Sequence, residues 1–122
     1  MAAVSVESLE KQRAQRTITL AQQTLRLNNV EIASALSVDR RTILRYRNRD
    51  SVPSASTRAR FIKLEELIYL LNEIFVTDKD RLEWLHSPVP LLRGRQPIDL
   101  IRQGELDQVV GILSGILSGA SS

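Results

Sequence analysis

The chain has 122 residues and a net charge of only +3, enough for one helical domain or for two small helical units sharing a core. It has no cysteine and a single histidine, which excludes disulfides, thiolate zinc sites and cysteine nucleophiles, and no signal peptide is legible among the charged residues of its first twenty positions. The charge is unevenly placed: residues 1–50 hold nine Lys or Arg against five acids, whereas residues 51–122 hold eight against nine.

Hydrophobic residues make up 43% of the chain, but the aromatics are few (Tyr46, Phe61, Tyr69, Phe75 and Trp84), so the core is expected to be aliphatic. Residues 1–16 show weak periodicity and are expected to fray before a helix sets in. From about Thr17, Ile18, Ala21 and Leu25 recur at three and four, which predicts a helix ending near Leu27. Asn28 and Asn29 stop it, and Asn28 with Glu31 can form a capping box for a short helix, Val30–Leu36.

The run Ile32–Tyr46 has the apolar pattern of a helix-turn-helix. Ala33 is the small residue where two helices cross, Ile32 and Leu36 precede the turn, Val38 closes it, and Ile43 and Tyr46 face inward. Asp39 is a good N-cap for the second helix and leaves Arg40, Arg41, Leu44, Arg45 and Asn48 on its outer face. Seven arginines and only one acid, Asp50, lie between Arg40 and Arg60, a footprint suited to a polyanion. Arg40, Arg41 and Arg45 are the candidates for reading bases, because the planar guanidinium reaches guanine O6 and N7 together. Thr42, Arg47, Asn48 and Arg49 are the candidates for phosphates. A solvated helical pair used only for packing is the alternative. Ile32-Ala33, Leu36, Ser37, Val38, Thr42-Ile43, Arg45 and Tyr46 together resemble the Xre class of repressors, with Ser37 where glycine is usual.

DSVPSAST, residues 50–57, reads as a linker and divides the chain into regions 1–57 and 58–122. Beyond it Phe61, Leu64, Ile68, Leu71 and Phe75, widened by Leu67 and Ile74, predict a helix of about four turns. Thr77 or Asp78 caps a short helix, Lys79–His86. Pro88 and Pro90 forbid its continuation, Gly94 permits a positive φ in the loop, and Pro97 suits the first turn of another helix, Ile98–Gln103, which Gly104 caps. Leu106, Val109, Val110, Leu113, Ile116 and Leu117 form a last apolar stripe. Its opposite side carries Gly111, Ser114, Gly115 and Ser118, with glycines at 111, 115 and 119 spaced to admit a close neighbour. The run Val109–Leu117 is interrupted and less than half a membrane span.

Trp84, Leu85, Ser87-Pro88, Leu92, Gly94, Pro97, Asp99-Leu100, Gly104, Val109 and Leu113, in register, resemble the toxin-binding domain of Xre/MbcA/ParS-type antitoxins over roughly Phe61 to Ala120. The resemblance implies an all-α fold, a helix-turn-helix followed by a small helical toxin-binding domain. It also implies a type II antitoxin that obstructs a RES-type, NAD-degrading toxin and autoregulates its operon by binding promoter DNA. The toxin-facing residues it implies are Arg93, Gly94 and Arg95 with Gly111, Ser114, Gly115, Ser118, Gly119, Ala120, Ser121 and Ser122. Trp84, Leu92, Pro97 and Leu100 are expected to hold the domain together.

No catalytic constellation, cofactor motif or metal-ligand cluster is legible, and His86 has no orienting partner. The chain is therefore expected to be non-enzymatic and, with no signal peptide, cytoplasmic; palindromic half-sites would make it a homodimer, and the resemblance implies that it enters a larger toxin–antitoxin complex. Two rivals stay open at this level: a stand-alone dimeric repressor, and a protein-only inhibitor that no longer touches DNA.

Overall fold

Helix α1 (Val6–Leu25) starts at Ser5, whose side chain accepts the Ser8 N–H at 3.0 Å. It begins about eleven residues earlier than periodicity predicts. Its first turns are polar but rich in good helix formers, and they are supported by contacts distant in sequence. Glu7 pairs with Lys11 at 3.1 Å, Glu10 with Arg58 at 3.5 Å, and Arg13 forks onto Glu65 at 2.8 and 3.0 Å. The computed structural model describes residues 5–119, so the reading of the extreme N-terminus at residues 1–4 falls outside it.

Helix α2 (Asn29–Leu36) opens on the expected capping box, with Asn28 and Glu31 each accepting the other's backbone N–H at 2.9 and 3.0 Å. Ser37 ends it at φ +57, the left-handed conformation for which glycine is the usual occupant. Arg60 donates to the Ser37 hydroxyl. Helix α3 (Arg40–Arg47) is capped by Asp39, which accepts the Thr42 N–H at 2.8 Å. Ile32, Ala33, Leu36, Ile43 and Tyr46 are buried and Val38 packs against them, so α2 and α3 bury the apolar positions between them.

Helix α4 (Ala55–Ile74) also begins earlier than expected. Ser54, read as part of a linker, is its N-cap and accepts the Thr57 N–H at 3.3 Å. Helix α5 (Asp78–Leu85) is capped by Thr77, and His86 is its exposed C-cap. A 3-10 turn (Pro90–Leu92) leads to α6 (Pro97–Arg102) and α7 (Leu106–Gly119). Among the described residues there is no strand.

Helix α4 packs against α1 and α2 on one side and α7 on another, and α2 also meets α6. One hydrophobic cluster contains Ile18, Leu36, Ile43, Leu64, Leu71, Ile98, Leu100 and Leu113, so residues on both sides of position 57 share a core. Tyr46 meets Phe61 edge-on across that boundary, with centroids 5.5 Å apart. Arg81, almost buried, donates to the Thr24 carbonyl at 3.0 Å and to Asp78 at 2.8 Å, tying α5 to the end of α1. Phe75 and Trp84 stack at a tilt, 5.6 Å apart.

The two halves come close together at Gly104. Its φ of +80 lets Gly104 and Glu105 donate to the Ile101 and Leu100 carbonyls at 3.0 and 2.9 Å, ending α6. A Cβ there would lie 3.3 Å from the Ser34 carbonyl oxygen and 3.4 Å from Ser37 Oγ. Around it Arg102 pairs with Glu31 at 2.6 Å, and Ser34 donates to the Arg102 carbonyl. Gly104→Ala is therefore expected to lower unfolding stability by roughly 1–2 kcal/mol or more, backbone strain compounded by the contact with α2. Gly94 has φ +77 but nothing within 4 Å of its Cβ position, so Gly94→Ala is the control that carries the backbone cost alone. Urea midpoints of the two variants should separate in that order.

Candidate functional site

The N-terminal site is the outer face of α3. Arg40, Arg41, Arg45, Asn48 and Arg49 are exposed, and Thr42, Leu44 and Arg47 are half-buried. Leu44, expected to stand fully outside, is thus partly covered. Arg40, Arg41 and Arg45 make no hydrogen bond or ion pair among the described residues, so their guanidinium groups project with all donors uncommitted. Thr42 is engaged in the cap: its hydroxyl donates to Asp39 at 2.7 Å. Those hydrogen bonds from the Thr42 side chain and backbone hold the Asp39 carboxyl below the usual carboxylate range, with Arg41 and Arg45 adding to the effect. The Asn28 N–H, followed by Arg102, does the same for Glu31.

At the other end of α3, Arg47 donates to Asn29 at 2.8 Å and to Gln22 at 2.7 Å, and Arg49 donates to Gln15 at 2.6 Å. The same Gln15 donates to the Arg47 carbonyl at 2.6 Å. Sequence reasoning passed over these amides. Their signal was the seven-residue interval between Gln15 and Gln22, which puts both on one side of a helix.

The second site lies on the C-terminal elements. Arg93, at φ +59, and Gly94 form a left-handed pair at the tip of the loop, and both are exposed. The loop is closed by the Val89 N–H on the Arg95 carbonyl at 3.1 Å and by the Gly94 N–H on the Val89 carbonyl at 3.0 Å. Arg95 is turned back onto Leu92, Glu105 and Gln108 at 3.1, 3.5 and 3.3 Å, whereas the Arg93 side chain has no such bond among the described residues. Leu92, Pro97 and Leu100 are buried and Trp84 is half-buried against the core.

On α7 the buried stripe runs through Leu106, Val109, Val110 and Leu113 and stops there. Ile116 and Leu117 remain 41% and 43% exposed. Gly111, Gly115, Ser118 and Gly119 are exposed and Ser114 is half-buried. A Cβ at any of the three glycines would meet nothing within 4 Å. Packing among the described residues therefore does not require glycine at positions 111 and 115. Ala120, Ser121 and Ser122, named with them from the sequence, lie outside the described residues.

Residues 70–119 match the family described as antitoxin Xre/MbcA/ParS C-terminal toxin-binding domain. Over those residues the chain is similar to the Xre/MbcA/ParS-type antitoxins. The match begins inside α4 and ends with α7, so it takes in both the Arg93–Arg95 turn and the glycine face. Beyond the domain, the mycobacterial cidal antitoxins MbcA of Mycobacterium tuberculosis and of Mycobacterium bovis are each 28% identical to this chain over 103 residues, 84% of this chain and 90% of theirs. The all-helical fold is also that of a chain in the crystal structure of the M. tuberculosis MbcT–MbcA toxin–antitoxin complex. The TM-score is 0.62 and the identity 26%, over 95% of this chain and 97% of that one.

Among the described residues no group of three or more His, Cys, Asp or Glu is placed to hold a metal ion, and no helix is long and apolar enough to cross a membrane.

Glu31 and Asp39 sit at the starts of α2 and α3, and both have carboxyl groups more acidic in the folded chain than in the unfolded one. Their contribution to stability is then fully present above the ordinary carboxylate range, about pH 4–5, and is lost as pH falls through the folded values. The melting temperature is expected to be level above about pH 5 and to fall on acidification. Asp39→Asn keeps a capping oxygen and should make that acid decline shallower. A decline identical to wild type would take Asp39 out of the account.

Proposed function

We propose that this protein is an antitoxin that binds and neutralises a cognate RES-type toxin, an enzyme that degrades NAD, by obstructing its active site. We also assign it a second role in repressing its own operon, with α3 in the major groove of promoter DNA. The observation that carries the reading is the likeness of nearly the whole chain, not of the C-terminal domain alone, to a chain of a toxin–antitoxin complex.

Arg93, Gly94 and Arg95 with the face of Gly111, Ser114, Gly115, Ser118 and Gly119 and the tail at Ala120, Ser121 and Ser122 are the toxin-facing surface in this reading. Backbone without side chains can enter a cleft that bulkier residues could not, and Ile116 and Leu117 beside it offer apolar area that the chain itself leaves uncovered. The DNA-facing set is Arg40, Arg41 and Arg45 for bases, with Thr42, Arg47, Asn48 and Arg49 for phosphates. Palindromic half-sites call for two recognition helices, so the DNA-bound form is a homodimer within a larger toxin–antitoxin complex in the cytoplasm.

A tagged copy purified from its native cells should retain a stoichiometric protein that consumes NAD once separated from it. Recovery of the protein alone would remove the antitoxin reading and leave a repressor. The two surfaces should also separate by mutation. Removing residues 115–122 is expected to weaken neutralisation at least tenfold while sparing DNA binding. Arg41→Ala with Arg45→Ala should do the reverse, costing about 1–3 kcal/mol of specific binding for each base-reading arginine removed. Equal loss of both activities in the truncation would assign the tail to the common core.

A further inference from the structure

The C-terminal end of α3 is held by amides rather than carboxylates. Gln22 and Asn29 accept from Arg47, and Gln15 accepts from Arg49 while donating to the Arg47 carbonyl. Several other arginines of the fold are treated differently: Arg13, Arg26, Arg58, Arg81, Arg95 and Arg102 each pair with an acid. A carboxylate would bind a guanidinium more strongly than an amide does, but it would also cancel its charge. An amide oxygen fixes the direction of the guanidinium and leaves the full positive charge in place.

The geometry keeps donors available as well. Among the described residues Arg47 uses Nε and Nη2 and leaves Nη1 uncommitted, and Arg49, which is exposed, uses only Nε. Arg49 also sits at φ +58, a conformation that glycine occupies at lower cost, where its N–H reaches the Tyr46 carbonyl at 3.2 Å. Its bond to Gln15 is the interaction that the costlier residue gains.

From this we infer that Gln15, Gln22 and Asn29 are positioning residues for phosphate binding, aiming Arg47 and Arg49 beyond the end of α3 without neutralising them. The inference rests on the DNA-binding reading above and names part of its mechanism.

The test uses the full-length protein and a fluorescently labelled duplex of the region upstream of its own gene, with anisotropy titrations over a series of salt concentrations. Gln22→Glu preserves shape and the hydrogen bond accepted from Arg47 while introducing a cancelling charge; Gln15→Glu introduces the same charge and keeps the bond from Arg49 but loses the one that Gln15 donates to the Arg47 carbonyl. Gln22→Glu is expected to melt at or above the wild-type temperature and Gln15→Glu below it, yet both to bind about tenfold more weakly near 0.1 M salt. The slope of log affinity against log salt should become shallower by about 0.9 for each substitution. Arg49→Gln removes an exposed charge directly and should reproduce the slope change of Gln15→Glu, which guards against a fold lost in the glutamate variants. A merely structural role for the amides would leave the salt slope where it is. Wild-type binding with unchanged slopes in Gln15→Glu, Gln22→Glu and Arg49→Gln would overturn the inference alone; failure of the wild type to bind the duplex would overturn the DNA reading and this inference with it.

Discussion

Helix α4 has to bury apolar side chains along more than one line. Thr57, Phe61, Leu64, Ile68 and Leu71 run along one stripe, and Leu67 and Leu70 stand beside it. A face that wide exceeds what a single neighbouring helix covers, so α1, α2 and α7 all come to it. Each large aliphatic side chain buried there is worth about 1.5–3 kcal/mol, against roughly 0–1 kcal/mol for a typical exposed ion pair. The relation between the α3 face and the C-terminal surface is therefore set mainly by this shared core. The Arg102–Glu31 pair and the Gly104 contact trim it locally.

The parts of the fold that could be read from sequence are those whose causes are local. Asn28, Asp39 and Thr77 cap the helices they were expected to cap, and Ile32, Ala33, Leu36, Ile43 and Tyr46 are buried as their spacing demands. Pro88, Pro90, Gly94, Pro97 and Gly104 bend the chain where their backbone preferences require. The starts of α1 and α4 escape such reading for different reasons. The first turns of α1 carry little apolar periodicity and are supported by Arg13–Glu65 and Glu10–Arg58, whose members lie about fifty residues apart. Ser54 is surrounded by linker-like composition, and only the folded backbone brings its hydroxyl to the start of α4.

The candidate surfaces divide the same way. Arginine clustering and helical spacing were enough to put Arg40, Arg41 and Arg45 outward. Spacing puts Gln15 and Gln22 on one side of α1 but could not show that they and Asn29 hold Arg47 and Arg49, because the partner across a helix pair has no local signature. Nor could it show that the apolar stripe of α7 outruns its cover: Ile116 and Leu117 continue the periodicity of Val109 and Leu113 but remain exposed.

The open space beyond Gly111 and Gly115 has one more consequence. The chain has no cysteine of its own, so a cysteine at either position would be a unique thiol on an exposed helix surface with no neighbour to displace. A fluorophore attached there would report directly on whether that face is covered or bare, turning a plain strip of glycine into the most convenient observation point on the molecule.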